Sequence, residues 1–260
     1  MVKLLSYDDT VLAIKNGRMV PYFQTVHCAE DRICSGVEVL TRIIDPEYGI
    51  ISPGAFLSIL ESQELALSAT ECVMTEAIRV LNNLHPSLPK DFRVSFNVGA
   101  VLLSSAGFSE LCCKLISRLG NGMTLCAELT ERQPFYHDEE EKMYIRDLRR
   151  AGIKVVLDDF GSGHSGILML SRYDIDGIKI PRELIDTDPA DSKSDIIERH
   201  IINLAQSLNL EITAEGVISP AQYCRLKSRG VNFMQGYWFS EPVDAGAFKT
   251  KWTGKREDTV

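Results

Sequence analysis

The chain has 260 residues, 45% of them hydrophobic, and a formal net charge of −8; that length and apolar content suit a single α/β barrel with a sizeable core, and the negative charge excludes an electrostatic duplex-nucleic-acid binder, which carries a basic face. No run approaches the roughly 18 apolar residues of a membrane span, and MVKLLSYDDTVLAIKNG lacks the apolar core of a signal peptide. The seven cysteines, odd in number and without framework spacing, read as reduced thiols in a cytoplasmic protein, or in the cytoplasmic part of a larger and membrane-anchored one.

Taken in chain order, the first short apolar run is GVEVL (36–40). PGAFLSILESQEL (53–65) then has helical periodicity, with Ser52 as N-cap and proline at the first helical position. An amphipathic helix is predicted over 69–84 and a strand over 92–98. One or two helices follow over 100–120, and a strand over 124–129. DEEEKMYIRDLRRAG (138–152) starts acidic, ends basic and closes on glycine, matching the helix dipole and a C-cap. Strands at 153–159, 176–180, 210–216 and 231–237 alternate with helices at 191–209 and 219–230. The strands are rich in Val, Ile, Leu and Phe with little polar alternation, as in parallel sheets covered on both faces. No linker interrupts this alternation, which predicts one barrel domain over residues 1–260, the last ten or so a tail.

Each predicted strand ends on a polar residue: Glu38, Asn97, Glu128, Asp158, Lys179, Glu215 and Gln235. Strand C-termini converge on one face of a barrel, where active sites sit. Loops follow strands, so polar ends are ordinary one at a time; the bias to four carboxylates, two amides and a lysine is not. Carboxylates and an amide oxygen are hard ligands that suit Mg²⁺ or Mn²⁺ rather than zinc. Adjacent Asp158 and Asp159 face opposite ways in a strand, and where the strand breaks they reach separate ions. That favours a two-metal centre, with ions about 3.5–4 Å apart. Lys179 adds a positive charge that can hold or deprotonate water; a salt bridge to Asp158 or Glu215 is its plain structural reading, compatible with function. The chemistry expected is metal-assisted phosphodiester hydrolysis.

Other features carry less. His27, Cys28 and Cys34 lack zinc spacing. Cys112–Cys113 reads as core filling, and His137 as a helix N-terminus. GSGHSG (161–166) lacks the lysine of a phosphate-binding loop and reads as a flexible loop beside the metals. Phe160, Tyr237, Trp238 and Phe239 could stack on a base or simply pack.

These motifs together resemble the EAL-domain family of bacterial cyclic di-GMP phosphodiesterases over nearly the whole chain. The signature stands here as Glu38-Val39-Leu40, followed by Thr41 and Arg42. YFQTV (22–26) is similar to the family's first strand, and SPGAFLSILES (52–62) to the segment after the signature. FNV holds Asn97, AELTE holds Glu128 and Glu131, LDDFGSGHSG holds Asp158 and Asp159, and DGIKI holds Lys179. AEGV holds Glu215, and QGYWFSEP holds Gln235 and Pro242.

The resemblance implies a modified (β/α)8 barrel with one early strand antiparallel. It implies opening of cyclic di-GMP to linear pGpG with two Mg²⁺ or Mn²⁺ ions, inhibition by Ca²⁺, and a homodimer. Glu38, Asn97, Glu128 and Asp158 would ligate metal, with Asp159 serving the second ion. Lys179 and Glu215 would position water or handle protons, and Gln235 would lie near the catalytic water and the substrate. Arg42 would meet a substrate phosphate and Gln24 a guanine, with Leu40, Asn97 and Pro242 also lining the substrate. Glu131 would anchor the loop after the paired aspartates.

Departures from the family pattern are Thr25 for proline, Val39 for alanine, His164 and Gly166 for tyrosine and serine, Pro181 for aspartate, and Ile218 for a second glutamate. None falls on an expected metal ligand, so retained hydrolysis is the leading expectation. A binding module that holds cyclic di-GMP or a protein without cleaving it, and a phosphodiesterase of broader specificity, are the alternatives.

Overall fold

A computed structural model describes residues 4–62, 65–130, 139–162, 166–186 and 192–254. Among the described residues there are ten strands: β1 (Met19–Cys28), β2 (Cys34–Asp45), β3 (Gly49–Ile51), β4 (Phe92–Val98), β5 (Met123–Leu129), β6 (Lys154–Leu157), β7 (Gly177–Ile180), β8 (Glu211–Ala214), β9 (Phe233–Met234) and β10 (Val243–Asp244). Pairing runs β10-β1-β9-β8-β7-β6-β5-β4-β2-β3, and β1 also pairs with β2. That last pairing closes an eight-strand barrel. β1 is antiparallel to both β2 and β9, whereas the ladders from β2 through β4 to β9 are parallel. The barrel and its single early antiparallel strand are therefore as the sequence indicated.

The helices cover the outside, as expected for strands buried on both faces. β4 and β5 are buried along nearly their whole length. The predicted helices at 69–84, 138–152, 191–209 and 219–230 are found at Ala66–Asn82, Glu139–Arg150, Ser192–Ser207 and Pro220–Ser228. Gly152 closes the second of these at φ +88, a left-handed position that a side chain would strain. The 100–120 segment resolves into two helices, Ala100–Leu103 and Phe108–Arg118. The predicted 53–65 helix is instead a 3-10 turn at Pro53–Ala55 and a short helix at Leu57–Ser62. Fully buried Phe56 breaks the run, and its N–H donates back to the Pro53 carbonyl.

A helix at Tyr7–Lys15 has no counterpart in the sequence reading, although its signal is present. Ser6 and Asp9 cap each other reciprocally, Ser6 Oγ accepting from the Asp9 N–H and Asp9 Oδ2 from the Ser6 N–H. In the expected C-terminal tail, the Trp252 indole donates to the Ser87 carbonyl at 3.2 Å and packs edge-on against Phe92.

The barrel interior is layered. At the N-terminal ends of alternate strands, Arg93 (β4) and Lys154 (β6) both reach Glu211 Oε1 (β8), at 2.6 and 2.8 Å. The Arg93 guanidinium also lies 3.9 Å over the Phe233 ring. This plug closes the bottom, so ligands approach from the C-terminal end.

Candidate active site

Backbone ladders carry one residue past each short strand and aim the next side chain into the mouth. The Asp158 N–H donates to the Leu129 carbonyl, Glu215 to Ile180 and Gln235 to Ala214. Glu38 is the last β2 residue laddered to β4, opposite Ser95, and on its other side it faces Gln24 of antiparallel β1. Gly236 lets the chain after Gln235 lie against Val217, where a Cβ would fall 2.3 Å from backbone atoms.

Lys179 is the hub, only 2% exposed. Its Nζ lies 2.6 Å from Glu215 Oε1, 2.7 Å from Glu128 Oε2, 3.0 Å from Glu38 Oε2 and 3.4 Å from Asp158 Oδ1. The salt bridges that sequence reasoning offered for Lys179 thus both exist, with two more. Four carboxylates around one ammonium leave a formal excess of negative charge in a poorly solvated place. Amides serve the rest of Glu38: Gln235 Nε2 donates to Oε2 at 2.6 Å and Asn97 Nδ2 to Oε1 at 3.3 Å.

Proton affinities follow from this geometry. Burial opposes ionisation of Glu38, but the Lys179 charge and the amide donors outweigh it and hold this carboxyl below the usual range. Burial and the neighbouring Glu38 charge push Glu128 well above it. Burial pushes Glu215 up to about 8 despite Lys179. Burial alone would lower Lys179, yet the surrounding carboxylates hold it well above an ordinary lysine.

A stability prediction follows. Glu215 keeps its proton in the folded chain up to about pH 8 and loses it near an ordinary carboxylate value of 4.5 when unfolded. Between those limits the folded state binds the extra proton, so raising the pH through this window destabilises the fold. The thermal midpoint of the chelator-treated chain is therefore expected to be lower at pH 8 than at pH 5.5. A midpoint that rises over this interval contradicts the assignment.

Asp158, Asp159 and Glu215 offer carboxylate oxygens that all lie within 4.8 Å of one another. Asp158 Oδ1 is buried and makes no hydrogen bond, its 3.4 Å approach to Lys179 being an ion contact only. An all-oxygen donor set with a buried orphan oxygen fits a hard divalent cation. Asp159 sits at φ +52, and the Ser162 N–H and hydroxyl both donate to its carbonyl. A left-handed non-glycine residue is strained. Asp159→Gly is therefore expected to stabilise the metal-free chain by about 1 kcal/mol while weakening divalent-metal binding, as read by urea unfolding and metal titration; unchanged metal affinity would remove Asp159 from the site.

A cavity of about 410 Å³ opens beside this cluster, within the size range of small-molecule sites. Gln24, Glu38, Asn97, Asp158, Glu215 and Gln235 form its polar side. Phe56, Leu60, Val73, Met74 and Leu102 form an apolar side beneath the helices at 57–62 and 66–82. Leu40 also lines it. Two expected substrate residues stand apart. Arg42 lies farther along β2, its guanidinium 5.5 Å over the Tyr22 ring and donating to the Thr41 carbonyl; Pro242 precedes β10, which pairs with β1. Neither lines the cavity.

Gln24, expected near a guanine, is buried and accepts from Gln235 Nε2 at 3.3 Å. Glu131, His137 and His164 lie outside the described residues. Of the four aromatics, Phe160 is core, Phe239 stacks on His27 and Trp238 packs on Tyr223; only Tyr237 is well exposed, at 64%. Ile218, expected near the centre, is 45% exposed and does not line the cavity, and its N–H donates to Gln222 Oε1. All seven cysteines are free thiols. Among the described residues no helix is long and apolar enough to cross a membrane.

Comparison with known proteins places these residues in context. The EAL domain family model matches residues 8–242. The chain is 35% identical to the cyclic di-GMP phosphodiesterase PdeL of Escherichia coli, over 94% of this chain and 68% of that protein. It is also 35% identical to the probable cyclic di-GMP phosphodiesterase PdeG of the same organism, over 89% of this chain but only 46% of PdeG. The solved structure of the PaMucR phosphodiesterase in complex with c-di-GMP superposes with a TM-score of 0.83 at 29% identity, covering 93% of this chain and 98% of that one.

Proposed function

The chain belongs to the EAL-domain family, and from that membership we propose that it is a metal-dependent phosphodiesterase that hydrolyses cyclic di-GMP to linear pGpG. One water is consumed and one phosphodiester bond is broken, leaving a phosphomonoester and a free hydroxyl. The observation that carries the reading is the cluster of Glu38, Glu128, Asp158 and Glu215 on Lys179, with Asp159 alongside, at the mouth of a ligand-sized cavity.

Asp158, Asp159 and Glu215 are the residues best placed to hold divalent cations, with Glu38, Asn97 and Glu128 completing the oxygen set. Bound Mg²⁺ or Mn²⁺ would supply charge for a phosphate dianion-like transition state and acidify water. Glu215, protonated in the metal-free site at neutral pH, releases that proton when a cation displaces it. Lys179 offers its ammonium to a developing oxyanion or to water. Gln235 Oε1 is buried without a hydrogen bond, which makes it an acceptor for a proton of the attacking water. Tyr237 and Arg42 lie outside the cavity, where the purine ends of a long dinucleotide reach. The seven free thiols support action in the reducing cytoplasm. Exposed Ile167, Leu168, Ile196 and Ile197 support a homodimer.

The test is turnover of cyclic di-GMP by the purified chain with Mg²⁺, Mn²⁺ or Ca²⁺, with nucleotides separated by chromatography. Formation of pGpG with Mg²⁺ or Mn²⁺ and its suppression by Ca²⁺ is expected. No pGpG at micromolar enzyme defeats the proposal, and binding without product would make the chain a cyclic di-GMP receptor.

A further inference from the structure

A second, partly buried polar chain runs from the bottom of β1 to the acidic cluster. It begins at His27, 8% exposed, whose ring stacks on Phe239 with centroids 4.4 Å apart and planes at 15°. His27 Nδ1 lies 2.9 Å from the Arg32 carbonyl oxygen. A carbonyl only accepts, so Nδ1 carries a proton. His27 Nε2 lies 2.9 Å from Thr25 Oγ1, and Thr25 Oγ1 lies 2.6 Å from Ser240 Oγ. Ser240 Oγ also accepts the Thr25 backbone N–H at 3.3 Å.

With a neutral ring, these contacts have one consistent polarity. Nε2 is then an acceptor, so the Thr25 hydroxyl donates to it. The Ser240 hydroxyl must therefore donate to Thr25 Oγ1. Ser240 is tethered at its side chain twice, and its carbonyl accepts from Gln24 Nε2 at 3.3 Å. That leaves Gln24 Oε1 to accept from Gln235 Nε2 at 3.3 Å, and the other Gln235 proton goes to Glu38 Oε2 at 2.6 Å. A flipped Gln24 amide would set two NH₂ groups against each other. The tethered Ser240 carbonyl thus fixes which end of Gln24 faces the reacting centre, and the Glu38 carboxylate fixes that of Gln235. Thr25 and His27, two apart on β1, lie on the same face of the strand, and the register shift beside them leaves Ser35 of β2 as the extra residue.

We propose that Thr25, His27 and Ser240 are positioning residues: a hydrogen-bond relay of fixed polarity that orients the Gln24–Gln235 amide pair against Glu38. Thr25, a departure from the family pattern, supplies a hydroxyl and an N–H that proline lacks. The kinetic readout rests on the phosphodiesterase reading, whereas the orientation of the amides does not.

The experiment compares Thr25→Val, which removes the hydroxyl at nearly equal size, with Thr25→Ser, which keeps it. Thr25→Val is expected to lower kcat about tenfold with KM changed less than about twofold, in a folded chain whose thermal midpoint falls modestly because His27 Nε2 and the Ser240 hydroxyl lose a partner. Thr25→Ser is expected to restore kcat to within about twofold of wild type. In parallel, ¹⁵N NMR of the metal-free chain should show the neutral Nδ1–H tautomer of His27. The side-chain NH₂ resonances of Gln24 and Gln235 should shift in Thr25→Val and not in Thr25→Ser. An Nε2–H tautomer, unshifted glutamine resonances in Thr25→Val, or a loss confined to KM overturns the relay. Should Thr25→Val not fold, Ser240→Ala breaks the same link and keeps the backbone carbonyl. A wild type without turnover would defeat the functional reading, and the NMR measurements would still decide the relay.

Discussion

Replacing Glu38 by glutamine is expected to lower kcat by about 10³-fold while leaving the fold intact. Glu38 is the carboxylate in the cluster that is held below its usual range, so it carries full negative charge at working pH. It receives Lys179 at 3.0 Å, Gln235 at 2.6 Å and Asn97 at 3.3 Å. Glutamine keeps the shape and loses the charge. The effect on stability is smaller and has two opposing parts. Lys179 and the two amide donors make the fold favour ionised Glu38, so its neutralisation costs stability above an ordinary carboxylate pKa. Removing the charge also relieves repulsion with Glu128, whose own proton affinity is raised by Glu38. The metal-free Glu38→Gln chain should therefore fold, with a thermal midpoint at or modestly below the wild-type value at pH 8. Turnover at the wild-type rate would sink the assignment of Glu38. Loss of turnover together with loss of folding would mean that Glu38 is structural.

The second large effect is expected at Lys179. Lys179→Met leaves four carboxylates facing one another without their shared cation. Removing one partner of a buried ion pair costs about 3–5 kcal/mol, and Lys179 is nearly fully buried. The penalty depends on pH with a definite sign. Glu128 and Glu215 already favour their protons, and without Lys179 the remaining carboxylates do so more strongly. At pH 5 protonation neutralises the cluster and the loss is small. At pH 8 the charges cannot all be neutralised and the loss is large. Urea unfolding of wild type and variant at both pH values, with chelator present, measures the difference. Equal losses at the two values would show that Lys179 acts by packing rather than by charge. Divalent cation should restore part of the stability without restoring turnover, because a bound cation replaces the charge of the ammonium but not its protons.

Much of the barrel was legible in the sequence. FRVSFNV alternates Phe92, Val94, Phe96 and Val98 with Arg93, Ser95 and Asn97, TLCAEL is largely apolar, and the two coincide with β4 and β5 to within a residue. The dipole-matched run ending at Gly152 is a helix capped at a left-handed glycine. These features are local: side-chain alternation, capping and turn chemistry act over a few residues, and the chain states them directly. Most of the strand-end residues were legible for the same reason, since a polar residue after an apolar run marks a strand's exit; Glu38 is the exception, lying inside β2, which continues to Asp45. The helix at 7–15 was equally legible through the reciprocal caps of Ser6 and Asp9. The short β10 was not, being two residues defined by their partner, and β9 is only Phe233–Met234 of the strand expected over 231–237.

The sequence by itself determined which residue types the mouth of this barrel contains: carboxylates, amides and one lysine at successive strand ends. Only the tertiary structure decided which of them touch. Closing the barrel through antiparallel β1, between β2 and β9, sets Gln24 beside both Glu38 and Gln235, a residue 211 positions away. The same closure gathers four carboxylates on Lys179 and brings two of them, Asp158 and Glu215, together with Asp159 into a trio that can share a cation. It also leaves Arg42, next in sequence to the signature, outside the cavity. Strand propensity and side-chain period are properties of neighbours along the chain. Distances across a closed barrel depend on register and strand order, which are settled by the packing of the whole core.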